Sequence, residues 1–257
     1  MAAHSISILI TGANRGLGLE MVKQMIETAQ PVKNLFACCR DPDGPKSEVK
    51  VSTSYLNFLP YIMHRNDACD HDSIKQAAKQ VYSVTGAGGL NLLINNAGIL
   101  FRDNVQTTTP ENMQDTFNTN VLAPVLITQE FTPLLRTASK ASMIPGMSCR
   151  KAAVINISAL LASFESVKRT YNFLPALSYR ISKASLNMLT VCAAEELKKD
   201  GILFAALHPG WVRTDMGGEG GDIDAQESVK GMLAVMTSLS ERENGAFLDY
   251  QGKTLPW

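Results

Sequence analysis

A single doubly wound α/β domain with a mostly parallel sheet is the fold class this sequence predicts. Short apolar runs alternate with longer amphipathic stretches along the chain, a pattern that implies βαβ units and a parallel sheet. Right-handed crossovers then wind helices onto both faces. A glycine cluster at 12–18 stands between the first apolar run and the first helical stretch. The chain has 257 residues, 45% of them apolar, with no internal repeat and no linker, so one domain spanning 1–257 can bury a large core.

In chain order, 6–10 reads as a strand, 18–28 as a helix and 34–38 as a second strand. Residues 60–64 supply a third strand and 72–84 a helix. The run 90–94, closed by Asn95-Asn96-Ala97-Gly98, reads as a fourth strand and turn. Residues 111–137 are helical with a break near Pro124; 152–157 is a strand, 178–199 a helix, 202–207 a strand and 225–239 the last helix. The stretch 41–47 is a turn cluster and 139–150 is loop-like. The glycine-rich stretch 216–224 is expected to be mobile, either a substrate lid or an ordinary surface loop. Segment 49–66 should hold a helix and the third strand. It is instead rich in β-branched and aromatic residues and contains Pro60, which is poor helix material.

Composition removes several function classes. Lys plus Arg number 24 and Asp plus Glu number 24; this zero balance lacks the basic footprint of a nucleic-acid binder. The five cysteines, Cys38, Cys39, Cys69, Cys149 and Cys192, are odd in number and lack a Cys-x-x-Cys spacing. A disulfide framework or structural zinc site is therefore not expected, and reduced thiols suit a cytoplasmic protein. The first strand begins almost at Met1, leaving no room for a signal or transit peptide. No apolar run reaches the roughly 18 residues of a membrane span, and the ending Leu255-Pro256-Trp257 carries no prenylation or peroxisomal signal.

Thr11-Gly12-Ala13-Asn14-Arg15-Gly16-Leu17-Gly18 follows the first strand and opens the first helix. Glycines let backbone approach a pyrophosphate, and a helix N-terminus offers free N–H groups and a positive dipole end to it. The spacing is Gly-x-x-x-Gly-x-Gly, not the Gly-x-Gly-x-x-Gly of the usual dinucleotide fingerprint. Gly12, Asn14, Arg15, Gly16, Leu17 and Gly18 are the candidate cofactor residues. The second strand ends at Cys38-Cys39-Arg40, where an acidic residue would bind the ribose 2′-hydroxyl of NAD and an arginine the 2′-phosphate of NADP. Arg40 and Arg15 together favour NADP, while Asp41 could face the same site.

Tyr179 and Lys183, in Tyr179-Arg180-Ile181-Ser182-Lys183, lie four residues apart and share one helix face. Free tyrosine, with a pKa of about 10, is a poor acid–base group at neutral pH. A nearby ammonium favours the phenolate, and such a pair can exchange a proton with a substrate oxygen.

The glycine loop, Asn95-Asn96-Ala97-Gly98, Asn120, the strand ending at Ser158, Tyr179 with Lys183, and Pro209-Gly210 occur in this order over nearly the whole chain. The set resembles the short-chain dehydrogenase/reductase family, which has a Rossmann-like fold. The stretches 208–218 and 245–257 are most similar to the sniffer-type and C-factor-like carbonyl reductases. The resemblance implies that Tyr179 is the general acid for carbonyl reduction. Lys183 would lower its pKa and hold the nicotinamide ribose, Asn120 would support a proton-relay water, and Ser158 would polarise the carbonyl. It also implies that Asn95, Ala97 and Gly98 line the adenine-ribose side, that Asp67 and Ala68 flank the adenine, and that Pro209, Gly210, Val212 and Thr214 hold the carboxamide end. Asn120 reads equally as a helix-bend residue, and Asp67 as a turn or cap. Family members carry two adjacent serines where this chain has Ser158-Ala159, the second commonly being the catalytic one.

The function so implied is NADPH-dependent reduction of an aldehyde, ketone or quinone. The alternatives are an alcohol or hydroxysteroid dehydrogenase working oxidatively, and a weakly active dinucleotide-binding regulatory protein, which Ala159 favours. The helices at 111–137 and 178–199 serve either as a homodimer face or as sheet-covering core. No membrane or nucleic-acid partner is expected.

Overall fold

The computed structural model describes residues 5–27, 32–40, 61–65 and 70–257. The strands are β1 (Ile6–Thr11), β2 (Val32–Cys39), β3 (Tyr61–Arg65), β4 (Leu92–Asn95), β5 (Ala153–Ile157), β6 (Leu203–His208) and β7 (Ala246–Asp249). They form one sheet in the order β3-β2-β1-β4-β5-β6-β7, and every ladder between them is parallel. The order reverses between β1 and β4. In such sheets ligands bind outside the carboxyl ends of the strands at that switch point.

The helices are α1 (Gly16–Glu27), α2 (His71–Thr85), α3 (Pro110–Phe117), α4 (Ala123–Ala141), α5 (Val167–Thr170), α6 (Leu177–Glu196) and α7 (Ala225–Ser238). Successive strand residues bury on opposite faces because helices cover both. Ile8 and Ile10 pack with Met21 and Val22 of α1 and Val229 and Met232 of α7. Leu9 and Phe36 pack with Ile74 of α2, Phe131 and Leu135 of α4, and Ala193 of α6. Both α4 and α6 therefore cover the sheet. Phe117, Leu122, Ile181 and Met188 nonetheless stay exposed on this side of the chain.

The expected break near Pro124 is a π-helical turn, Asn118–Leu122, in which the Ala123 N–H donates to the Asn118 carbonyl five residues back. Pro124 lacks an N–H for regular α bonding, so the wider turn absorbs the misfit. Thr109 starts α3 as N-cap, its hydroxyl accepting from the Asn112 N–H at 3.1 Å, with Pro110 in the first turn. The third strand forms within segment 49–66, at Tyr61–Arg65; the helix expected before it lies outside the described residues. Two elements have no counterpart among those read from the sequence: α5, of four residues, and β7, also of four. Among the described residues Cys149 and Cys192 are free thiols. No helix among them is long and apolar enough to cross a membrane.

Candidate active site

The carboxyl ends of β1, β4 and β5 converge on one polar network. The Thr11 hydroxyl, at the end of β1, accepts from the Asn96 and Ala97 N–H groups at 3.0 and 3.1 Å. The Asn96 side chain donates to the Thr11 and Gly12 carbonyls at 2.9 and 3.2 Å. These bonds hold the glycine loop against the turn after β4. Gly12 and Gly16 have φ of 65° and 53°, in the left-handed region that favours glycine. A β-carbon on Gly12 would lie 2.9 Å from the Ala97 α-carbon, and one on Gly18 would lie 2.2 Å from the Gly12 carbonyl oxygen. The loop is thus kept bare by close backbone packing and opens α1 at Gly16. Leu17 packs against the core, whereas Asn14 is half-buried. Arg15 and Arg40 are exposed along the rim.

Tyr179 lies in the first turn of α6 and is 7% exposed. Around it pack Ala159 and Ala176, with Leu100, Leu161 and Leu174 outside them. The Lys183 ammonium lies 5.6 Å from the Tyr179 ring centroid and donates to the Ile157 carbonyl at 2.7 Å. A β-carbon on Gly98 would meet Asn120 Oδ1 at 3.2 Å and Lys183 Nζ at 3.7 Å, so Gly98 leaves the space beside both groups open. Burial brings Lys183 down to about 8 and holds the Tyr179 hydroxyl above its ordinary value. Burial of the phenol works against the lowering expected from Lys183.

Asn120 sits in the π turn with its side chain fully engaged. It accepts from the Ile99 N–H at 2.9 Å and donates to the Ile99 carbonyl at 2.9 Å and to Ser182 Oγ at 3.0 Å. Ser182 in turn donates to the Tyr179 carbonyl at 2.7 Å. Asn120 is therefore both the bend residue and a tie between the turn after β4 and α6.

Two expected site side chains face elsewhere. The Ser158 hydroxyl was expected to reach a substrate carbonyl; it is buried and donates to Asn187 Oδ1 of α6 at 2.7 Å. Adjacent residues leaving a strand point to opposite sides, so Ala159, not Ser158, faces Tyr179. The Asn95 side chain donates to Asn156 Oδ1 at 2.8 Å within the sheet, and Asn156 donates to Thr190 Oγ1 of α6 at 2.8 Å. Asp67 and Ala68 lie outside the described residues.

The loop after β6 completes the site. Gly210, at φ 86°, has no room for a β-carbon, which would lie 2.7 Å from Ile223 Cδ1. The Pro209 carbonyl accepts from Ser228 Oγ at 2.6 Å. Val212 is buried and bridges to Ile223, and the Thr214 hydroxyl accepts from the Gly217 N–H at 3.2 Å. Trp211 Nε1 donates to the Gly217 carbonyl at 2.9 Å, and the Arg213 N–H to the Ile223 carbonyl at 2.9 Å. The glycine-rich stretch expected to be mobile is folded back on itself by these bonds, with Gly217 and Gly221 at sites of close backbone approach. The loop reaches the glycine loop through the Arg15–Asp215 ion pair at 2.6 Å.

Sequence reading missed Asn156 and Asn187, whose partners lie tens of residues away, so no local spacing signals them. Thr11, Asn96 and Arg180 stood inside quoted motifs but had no role there; the Arg180 partners lie within ten residues of it. A cavity of about 90 Å³ lined by Ile6, Val32, Leu92, Cys149 and Arg150 lies at the amino ends of the strands, the opposite end from Tyr179.

The chain is similar in structure to the NADPH-bound carbonyl reductase from chicken fatty liver, with TM-score 0.91, 42% identity, and 99% of this chain and 100% of that one covered. It is similar too to the carbonyl reductase Sniffer of D. melanogaster, with TM-score 0.90, 33% identity and the same coverage. In sequence it is 34% identical to the C-signal protein of Myxococcus xanthus over 171 residues, 66% of this chain and 94% of that protein. It is 33% identical to the short-chain dehydrogenase anuI of Penicillium roqueforti over 245 residues, 92% of this chain and 90% of that protein. The family model for short chain dehydrogenases matches residues 7–222. With a parallel sheet reversing at β1 and β4, a bare glycine loop at that reversal, and a buried tyrosine–lysine pair beside it, the chain belongs to the short-chain dehydrogenase/reductase family of oxidoreductases.

Proposed function

We propose that this protein is an NADPH-dependent reductase of aldehyde, ketone or quinone carbonyls, a single catalytic domain over 1–257 working in the cytoplasm. The observation that carries this reading is Tyr179, 7% exposed, with the Lys183 ammonium 5.6 Å from its ring and Gly98 leaving the space beside that ammonium open. From that position the phenol can give its proton to a carbonyl oxygen.

The residues fit a dinucleotide. The Gly12–Gly18 cradle excludes β-carbons, and the first turn of α1 offers free N–H groups with no acidic residue to repel an anion. Arg15 and Arg40 suit the 2′-phosphate of NADPH. Lys183, with Gly98 leaving space at its ammonium, would hold the nicotinamide ribose. Pro209, Gly210, Val212 and Thr214 would shape the carboxamide end, and Ala97 and Gly98 the adenine-ribose side. NADPH when bound supplies the hydride. Tyr179 donates its phenolic proton to the carbonyl oxygen as that oxygen becomes an alkoxide. Leu100, Leu161 and Leu174 exclude water from that proton. Asn120 keeps the turn after β4 and the first turn of α6 in fixed relation. Ser158 is left with a supporting role on Asn187, and no hydroxyl stands at 159 to share the carbonyl oxygen.

A second reading, a dinucleotide-binding protein of low activity, is favoured by that missing hydroxyl. Oxidation of NADPH against a panel of aldehydes, ketones and quinones tests both. Turnover with at least one carbonyl class supports the reductase, whereas NADPH binding without turnover supports the second reading. A homodimer through the side carrying Phe117, Leu122, Ile181 and Met188 would cover exposed apolar surface, and sedimentation of the wild type tests it.

A further inference from the structure

The turn entering α6 has an unfavourable backbone. Ala176 is the one non-glycine residue with positive φ among the described residues, at φ 39° and ψ 57°. Such a conformation persists only where the surroundings impose it. Two residues impose it: Asp103, whose carbonyl accepts from the Leu177 N–H and whose Oδ1 accepts from the Ser178 N–H, both at 3.1 Å, and Arg180, one position after Tyr179 and 6% exposed. Its backbone N–H donates to the Ala176 carbonyl at 2.9 Å. Its Nε donates to the Pro175 carbonyl at 2.7 Å and its Nη2 to the Leu174 carbonyl at 2.8 Å and Thr170 Oγ1 at 3.0 Å. The guanidinium carbon stands 5.5 Å from the Tyr171 ring centroid. The third nitrogen, Nη1, is buried without a hydrogen-bond partner.

Burying a cation is costly unless it is fully paired, and this one is aimed at backbone carbonyls. A side chain kept for packing alone would be apolar there. What the fork holds is the segment 170–176, and that segment carries two contacts of the site. Leu174 packs against the cluster of Ala159, Ala176 and Tyr179. Phe173 meets Trp211, next to Gly210, edge-on with ring centroids 4.8 Å apart.

We propose that Arg180 is a positioning residue: it straps the segment 170–176 onto the first turn of α6, and so sets both the wall beside Tyr179 and the aromatic contact across to the loop after β6. The proposal rests on Tyr179 being the proton donor. Arg180 touches neither substrate nor cofactor and acts through the backbone it holds.

The test uses Arg180→Met and Arg180→Lys in the full chain, with three measurements. Amide hydrogen exchange is followed at Leu174, Leu177 and Ser178 and, as reference, along β1 and β4. In Arg180→Met, exchange should rise at least about tenfold at the first set and not at the second, since local opening is read amide by amide. NADPH affinity should stay within about twofold. Small displacements of a reacting group cost up to about 10²-fold, so kcat should fall about 10- to 100-fold. Arg180→Lys keeps the charge without the fork and should fall between wild type and Arg180→Met in both exchange and kcat; if the methionine variant does not fold, the lysine variant decides. Unchanged exchange, localised exchange with unchanged kcat, or a uniform rise in exchange with weaker NADPH binding would each overturn the proposal. Failure of the reductase reading itself would show as a wild type without turnover, with the exchange result still standing.

Discussion

The two charged regions at the carboxyl end of the sheet differ in how their geometry is held. Tyr179 and Lys183 are 7% and 4% exposed, walled by leucines and tied through Asn120, Ser182 and the Ile157 carbonyl. Arg15 and Arg40 stand on the rim, and the ion pair from Arg15 to Asp215 has side chains 46% and 76% exposed. Exposed pairs of this kind contribute little to stability and weaken with salt. Proton transfer needs a desolvated group in one position, so burial is the tool. Choosing between NADPH and NADH needs only attraction to a phosphate, which flexible surface cations supply. Substitutions in the first region should therefore change chemistry or stability, and substitutions in the second should change affinity alone.

The largest expected effect is at Tyr179. Tyr179→Phe should leave NADPH binding nearly intact and lower kcat by about 10²–10⁴-fold, the range for lost general acid catalysis. Undiminished turnover would remove Tyr179 from the mechanism. Lys183→Met extends the contrast to stability. The folded-state value of about 8 lies below the ordinary 10.5, so the folded protein binds its proton less tightly than the unfolded chain. Stability from this group is present above pH 10.5 and is lost as pH falls through about 8. At neutral pH the buried ammonium thus costs up to about 3 kcal/mol. Lys183→Met should raise the melting temperature at pH 7 while abolishing turnover, and the gain should shrink as pH rises above about 8 and vanish near 10.5. A lower melting temperature would mean that the bond to the Ile157 carbonyl outweighs the desolvation.

On the rim, Arg40→Ala should weaken NADPH by roughly 10- to 150-fold, as for one lost charge-assisted hydrogen bond, and leave NADH nearly unchanged. Equal weakening of both cofactors would break the contrast. Ala159→Ser restores a hydroxyl beside Tyr179. Since one donor to a developing oxyanion is worth up to about 10²–10³ in rate, kcat should rise tenfold or more. The smallest kinetic effect is expected for Ser158→Ala, whose hydroxyl is taken up by Asn187. Turnover should hold within a fewfold, while denaturant unfolding shows a loss of about 1–3 kcal/mol from the unpaired Asn187 oxygen.

These outcomes also mark how far the sequence was legible. Glycines, the tyrosine–lysine spacing and the strand–helix alternation could be read directly, because each depends on neighbours within a few residues. Six strands followed from the same periodicity, but their order in the sheet and β7, Ala246–Asp249, did not. At Ser158 local reading failed, because the choice between 158 and 159 turns on which side of the strand end each faces, and on Asn187, 29 residues away. The side-chain partner of Asn95 was out of local reach in the same way: Asn156 comes from a neighbouring strand. The loop at 216–224 looked mobile on its glycine content, yet at Gly217 and Gly221 β-carbons would strike the backbone of Val212 and Arg213. Glycine marks close approach as well as freedom, and composition alone does not separate the two.

The π turn at Asn118–Leu122 bears on how the gene can change in length. The turn holds one residue more than an α turn would. Deleting a single codon there would let α3 and α4 run on as regular helix, and Ile127, Phe131 and Leu135 would keep the sheet face they now cover, because the turn sheds only the residue by which it exceeds an α turn. The loss would fall on Asn120 and its hold on Ile99 and Ser182. A codon removed from the regular part of α4 would instead rotate the helix beyond it by about 100°, while the stretch 142–148, past the end of α4, should absorb such changes.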